Sequence, residues 1–395
     1  MQFSAVIGQS TIKQQLVQLV TQNRVSHAWL FLGKEGCGGL PLALAFAQYL
    51  VCTQRNNSTT TDLFANATAT TPPSVDACGI CSACIKAQQL VHPDIHYTYP
   101  VIPSKAGEKP ISKDYIQEWR SFIKQKPYGN VYDWLQTIGA ENKQGNITAR
   151  ECDEIAHTMN LKSFESAYKI LLLWMPEYLG NEGNKLLKLI EEPPDNTIFI
   201  LVAENESLVL PTILSRTQLV KIPPIDHTDI KQQLLTTYNI PEIQAQQVAS
   251  IAHGSFSEAL HILQHADEDW QALIRSWLNA VLKGGPIAQV KWIEEASKLG
   301  REKQKQLLLY FIHLLEQSIR LRLVGTANMV LTEVEQDFAQ RINKIADIAQ
   351  QQCLVEELNK TIYYVERNAN AKIIFHALTI RLYHNIQNKS LILTD

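Results

Sequence analysis

The sequence predicts an α/β domain with a parallel sheet in its N-terminal half, followed by helices alone. Three observations carry that prediction. Short apolar runs at His27–Gly33, Tyr168–Trp174 and Thr197–Val202 have the length and composition of strands buried on both faces. These runs alternate with helical patterns, which implies parallel strands with helices covering the sheet. Beyond Pro223-Pro224 the spacing of apolar residues is helical throughout.

Taken in order, Ile12, Leu16, Leu19 and Val20 lie on one side of a short amphipathic helix. The first strand, His27-Ala-Trp-Leu-Phe-Leu-Gly33, runs into the glycine-dense loop Gly33-Lys-Glu-Gly-Cys-Gly-Gly39. Leu40–Val51 then reads as a helix with Pro41 in its tolerated first turn. Strand, glycine loop and helix together form the layout of a phosphate-binding unit. Thr53–Ala77 is polar and Thr-rich without period, and reads as a flexible excursion. A second strand at Tyr168–Trp174 leads to a helix at Glu182–Glu192, stopped by Pro193-Pro194, and then to the strand Thr197–Val202. In such a sheet, ligands sit at the carboxyl ends of the strands. Helices follow, with breaks near Tyr238–Pro241 and Gly284–Pro286, and Leu307, Leu308, Phe311, Leu314, Leu315 and Ile319 mark one amphipathic face. The expected division is 1–222 for the α/β domain, 223–266 for a small helical domain and 267–395 for a larger one.

A chain of 395 residues exceeds one compact core, in keeping with that division. Hydrophobic residues make up 45% and charged residues 19%, a globular composition that excludes disorder throughout. A formal net charge of -3 gives the whole surface no strong pull on a polyanion, so contact with nucleic acid must be local or shared with partners. No apolar run approaches the roughly 18 to 20 residues of a membrane span, and MQFSAVIGQS lacks the basic and apolar regions of a signal peptide. A soluble cytoplasmic protein without membrane contact is expected.

The glycine loop departs from a working Walker A loop, G-x-x-x-x-G-K-[ST], whose lysine reaches the β and γ phosphates and whose hydroxyl holds Mg²⁺. Alignment on Gly33, Gly36 and Gly38 puts Gly39 and Leu40 where lysine and Ser/Thr belong. Lys34 stands at the wrong end of the loop. The acidic residue needed just past the second strand is also missing, since Trp174 runs into Met175-Pro176-Glu177. Gly33, Gly36, Gly38 and Gly39 are therefore read as a vestigial phosphate loop, and ATP hydrolysis by this chain is not expected. The rival reading is an active ATPase of the same fold in which Lys34 and Glu177 replace the missing groups.

Of the seven cysteines, Cys78, Cys81 and Cys84 form CGICSAC, whose two-residue gaps let thiolates converge on one tetrahedral zinc ion. Cys52 is the best fourth ligand, because the segment after it can loop out at little entropic cost per residue; His92 is the next. An all-thiolate site of Cys52, Cys78, Cys81 and Cys84 keeps no open position, so the expected zinc is structural. Reduced thiols in a turn and an iron–sulfur cluster are the competing readings. Cys152 and Cys353 read as buried small apolar side chains. A stand-alone zinc-dependent DNA-binding protein is a further rival for the function.

These segments resemble the AAA+ clamp-loader subunits of bacterial replication. The resemblance rests on His27–Gly33 with its glycine loop, Cys52 with CGICSAC, His92-Pro-Asp94, Asn184-Lys-Leu-Leu-Lys-Leu-Ile-Glu-Glu-Pro-Pro194, and Leu210-Pro-Thr-Ile-Leu-Ser-Arg-Thr217, over about the first 260 residues. It implies a P-loop NTPase-like AAA+ domain with a zinc module inserted at 52–84, a helical lid at 223–266 and a collar for oligomerisation at 267–395. It also implies a hetero-oligomer with an ATPase subunit and a delta-like subunit, indirect action on the sliding clamp, and contact with primer–template DNA through the complex. Ser215-Arg216-Thr217 stands at the family's Ser-Arg-Cys, so the resemblance assigns Arg216, with Ser215, an arginine-finger role toward ATP in a neighbour. Ala203 falls near the family's polar sensor, and Ser257 stands where working relatives carry an arginine.

Overall fold

The three long apolar runs become the centre of a five-stranded parallel sheet. A computed structural model describes residues 1–54, 75–103, 109–140, 145–264, 270–324, 333–367 and 369–387. Its strands are β1 (Ala28–Leu32), β2 (Ile95–Thr98), β3 (Lys169–Trp174), β4 (Thr197–Ala203) and β5 (Gln218–Lys221), in the order β2-β3-β4-β1-β5. Every pairing is parallel, with Phe31 opposite Val202 and Leu173 opposite Leu201. The side-chain period of two splits the strands between two cores. Trp29, Phe31, Ile170, Leu172, Ile198 and Ile200 face one side, while Ala28, Leu30, Leu171, Leu173, Phe199 and Leu201 face the other.

Among the helices, α1 (Ser10–Thr21), α2 (Gly39–Val51), α3 (Ser82–Gln88), α4 (Ile116–Gln125) and α5 (Val131–Thr137) pack on the first side. On the second lie α6 (Ala149–Met159), α7 (Leu187–Glu191) and α8 (Pro211–Leu214). Helices α9 (His227–Tyr238) and α10 (Glu242–Ile251) follow, separated by the expected break at Asn239, which adopts a left-handed conformation. By its contacts the chain forms two compact units, Met1–Leu260 and His261–Asp395. The second unit is helical in its described residues, with a core in which Trp277 stacks on Trp292 at 4.3 Å. Leu307, Leu308, Phe311, Leu314 and Leu315 are buried there, as their spacing predicts, while Ile319 is half-buried.

Three expectations need correction or completion. The helix expected at Glu182–Glu192 is α-helical only over Leu187–Glu191. A 3₁₀ segment, Pro176–Leu186, precedes it and is broken at Gly180 (φ 52°). Asn181, Gly183 and Asn184 are poor helix formers, and Gly183 lies so close to Leu210 that an added Cβ would stand 2.9 Å from its Cδ1. Strands β2 and β5 went unread because each is four residues long and both carry polar side chains at the sheet's edges. Most of the Thr-rich excursion, 55–74, lies outside the described residues.

Candidate functional site

The glycine loop leaves β1, which lies between β4 and β5, and enters α2, so its position at the carboxyl ends of the strands is the one the sequence implies. Gly33 N donates to Ala203 O at 3.1 Å, tying the loop to β4. Gly36 and Gly38 have φ of 71° and 95°, conformations that require glycine. The loop is not an open cradle. Phe256 N donates to Gly36 O at 2.9 Å, and a Cβ on Gly36 would stand 2.1 Å from Ser255 Oγ. The ring of Tyr128 lies against Gly38, within 3.2 Å of where a Cβ would be, and meets Phe256 edge-on at 5.1 Å. The Tyr128 hydroxyl accepts a buried hydrogen bond from Ile7 N at 2.7 Å. What remains over the loop is a cavity of about 20 Å³, room for about one water.

Of the two candidate substitutes for the missing catalytic groups, Lys34 lines that cavity and Glu177 does not. Lys34 is exposed at the loop's rim. Glu177 is buried, and its Oε1 accepts from Glu204 N (2.6 Å) and Asn205 N (2.9 Å), holding the turn after β4. Its Oε2 has no partner among the described residues, and burial pushes the carboxyl up despite those amides. Met175, between β3 and Pro176, is buried with a left-handed backbone. Ala203 and Ser257 are both buried, and the Ala203 side chain offers no hydrogen bond.

Arg216 follows the short helix α8 and is partly exposed, with 32% of its side chain accessible. Its Nε and Nη2 both reach Glu191 Oε1 at 2.5 Å, and its Nη1 donates to Thr212 O (2.8 Å) and Ser215 Oγ (3.2 Å). Ser215 Oγ in turn donates to Thr212 O.

The sulfurs of Cys52, Cys78, Cys81 and Cys84 lie within 4.8 Å of one another, so these four residues could hold a metal ion. Cys52 caps α2, Cys81 caps α3, and Cys78 and Cys84 complete the group. Cys78 Sγ and Cys84 Sγ are 3.9 Å apart, close to the edge of about 3.8 Å of a tetrahedron with Zn–S of about 2.3 Å. Backbone amides of Cys78, Cys81 and Cys84 donate to the sulfurs of Cys52, Cys78 and Cys81 at 3.3–3.4 Å, as suits thiolates. At Cys81, burial is outweighed by hydrogen bonds from Thr53 and the Cys84 amide, which bring the thiol down to about 6. Burial pushes Cys52 and Cys84 up. His92, the alternative fourth ligand, is elsewhere: its Nδ1 accepts from Asp94 N, and its Nε2 is 3.3 Å from Glu165 Oε1. Cys37 is a buried thiol pushed up to about 12 by desolvation.

Sequence reasoning gave Asp94 no task. Its buried carboxylate accepts from the amides of Phe164 (2.5 Å), Glu165 (2.8 Å) and Ser166 (2.8 Å), pinning the loop between α6 and β3. Burial works to raise this carboxyl, but the three amides outweigh it and hold it below its ordinary value. Tyr128 and Glu191 were also missed, because each acts on a segment distant in the chain.

A model of the family described as "DNA polymerase III, delta subunit" matches residues 8–135 and 129–226, together more than half of the chain. The delta' subunit of DNA polymerase III from Bacillus subtilis is 24% identical over 227 residues, 58% of this chain and 51% of the relative. The Pseudomonas aeruginosa delta' subunit is 28% identical over 199 residues, 50% of this chain and 44% of the relative. The gamma/tau subunit of Mycobacterium tuberculosis is 26% identical over 216 residues, 54% of this chain and 27% of the relative. The matched part thus spans about a quarter to a half of the length of these relatives. The chain belongs to the DNA polymerase III delta-subunit family and is similar to its delta-prime subunits.

Proposed function

We propose that this chain is the non-hydrolysing member of a DNA polymerase III clamp loader, helping ATP-driven loading of the sliding clamp on primed DNA. The observation that carries the reading is the glycine loop, which lacks lysine and Ser/Thr at Gly39 and Leu40 and has its space filled by Tyr128 and the Ser255–Phe256 turn. Without the lysine and hydroxyl, neither the γ-phosphate charge nor Mg²⁺ has a partner from the loop. Glu177 is committed to backbone amides, which weighs against an active ATPase that uses it. Arg216, with Ser215 beside it, is the group offered to ATP on a neighbouring subunit. An arginine supplied in trans neutralises charge developing on the γ-phosphate and is worth about a thousandfold or more in rate. Partners are an ATPase subunit and a delta-like subunit, with the clamp and primer–template DNA engaged through the complex.

The working division is an AAA+ domain at 1–222, a lid at 223–266 and a collar at 267–395. Cys52, Cys78, Cys81 and Cys84 would hold a structural zinc, which crosslinks the end of α2 to the start of α3 and supplies no reaction chemistry. The test is Arg216→Ala in the assembled complex, with an expected loss of most DNA-stimulated ATP hydrolysis at the adjoining site and unchanged assembly. An unchanged rate removes Arg216 from the mechanism. ATP turnover by the isolated chain overturns the non-hydrolysing reading.

A further inference from the structure

Glu191 ends α7 and begins Glu191-Glu192-Pro193-Pro194, whose prolines stop the helix. In the folded chain its carboxylate reaches 25 residues along the sequence to Arg216. Both Nε and Nη2 of the guanidinium fall 2.5 Å from Glu191 Oε1, and Nη1 is taken by Thr212 O and Ser215 Oγ. All three nitrogens are therefore engaged within this chain, and the positive charge is neutralised at contact distance. A guanidinium in this arrangement is stowed. A phosphate oxygen that needs the same N–H groups must compete with a carboxylate for them.

We propose that Glu191 is a latch that stows Arg216 and yields it to a phosphate presented by a neighbouring subunit. The inference rests on the reading of Arg216 as the arginine offered in trans, and assigns that site its regulation. The exposure of the pair makes the exchange feasible: the side chains of Arg216 and Glu191 are 32% and 45% accessible, so solvent screens their attraction. A screened pair shifts an equilibrium by about fivefold at most. The multiply charged phosphate end of a nucleotide, assisted by bidentate geometry, exceeds that. The carboxylate therefore biases the arginine toward the stowed position when no nucleotide faces it, without holding it there when one does. Removing the charge should leave the transition state unchanged and ease the step that recruits the arginine.

The test uses the assembled clamp-loader complex carrying Glu191→Gln, Glu191→Asp, Arg216→Ala or the Glu191→Gln/Arg216→Ala pair. ATP hydrolysis is followed against ATP concentration. The latch predicts that Glu191→Gln lowers the half-saturating ATP concentration by about two- to fivefold with kcat unchanged, and that Glu191→Asp stays near the parent. The Gln effect must vanish in the Arg216→Ala background, which a general structural effect of Glu191 would not do. A fall in kcat on Glu191→Gln would make the carboxylate a support for the arginine in its working position and overturn the latch. A Gln effect that persists without Arg216 would overturn it as well. If Arg216→Ala itself leaves hydrolysis unchanged, the reading of Arg216 fails. If Arg216→Ala is damaging while Glu191→Gln is silent, only the latch fails.

Discussion

Replacing Asp94 with Asn should unfasten the loop at 164–166. Asp94 is 1% exposed, and its two oxygens accept three backbone amides at 2.5–2.8 Å. A hydrogen bond to a charged group contributes about 1.5–3 kcal/mol, which would sum to about 4.5–9 kcal/mol if all three amides were sealed from water. They are not, since Phe164 is 83% exposed and its amide can hydrate once released. Asn also keeps one acceptor oxygen, while its amide group faces an N–H at the other position. The net cost is therefore about 2–3 kcal/mol, or roughly 4–10 °C in the unfolding midpoint of a unit of this size. Thermal and urea unfolding followed by circular dichroism measure it. The pH dependence has a definite sign. The native Asp94 carboxyl is held below its ordinary value, so its contribution is whole above the unfolded pKa of about 3.9 and is lost as pH falls through the depressed native value. The gap between parent and Asp94→Asn should stay constant from neutral pH down to about that value and then close. A midpoint within about 1 °C of the parent at neutral pH, or a gap that widens on acidification, would refute the reasoning.

The thiol cluster and the glycine loop give three further expected outcomes. The purified chain should contain about one zinc per molecule; chelation or Cys81→Ser should open Cys52, Cys78 and Cys84 to rapid alkylation while Cys37 and Cys152 stay slow behind the core. Because burial pushes Cys52 and Cys84 up, zinc must displace protons from them, and its affinity measured by competition should fall steeply as pH drops. Gly36→Ala should cost about 2 kcal/mol or more in urea unfolding, from a left-handed backbone at φ 71° and a Cβ 2.1 Å from Ser255 Oγ; a neutral result would mean the Ser255–Phe256 turn does not press on the loop.

What could be read in the sequence was local. Strands β1, β3 and β4 announce themselves because strands buried on both faces read as nearly continuous apolar runs, as in the uniformly buried β3, where only Lys169 at its start is polar. Edge strands β2 and β5 carry His96, Gln218 and Lys221 and lose that signature. The thiol cluster was legible because three ligands fall within seven residues and the fourth is found by asking which helix end adjoins the excursion. Tyr128 against Gly38, Glu191 against Arg216 and Asp94 against Phe164 were illegible for one physical reason. Each is a contact between segments whose approach is set by the packed sheet, with nothing in either segment's own pattern to announce it.

The filled glycine loop and the missing phosphate-binding groups bear on each other energetically. A nucleotide entering this site would have to lift the Tyr128 ring from Gly38, break the Ile7 amide's bond to its hydroxyl and move the turn that bonds Gly36 O. Exposing a buried aromatic side chain costs about 1.5–3 kcal/mol, so the open loop would be populated at roughly 7% or less. Apparent nucleotide affinity falls by that same fraction. The loop also lacks the lysine and hydroxyl from which an ordinary phosphate loop draws the energy to drive such an opening. Restoring only lysine at Gly39 would therefore not restore nucleotide binding, because the new charge would act on a site still occupied by Tyr128; recovery of binding requires that the ring be removed as well.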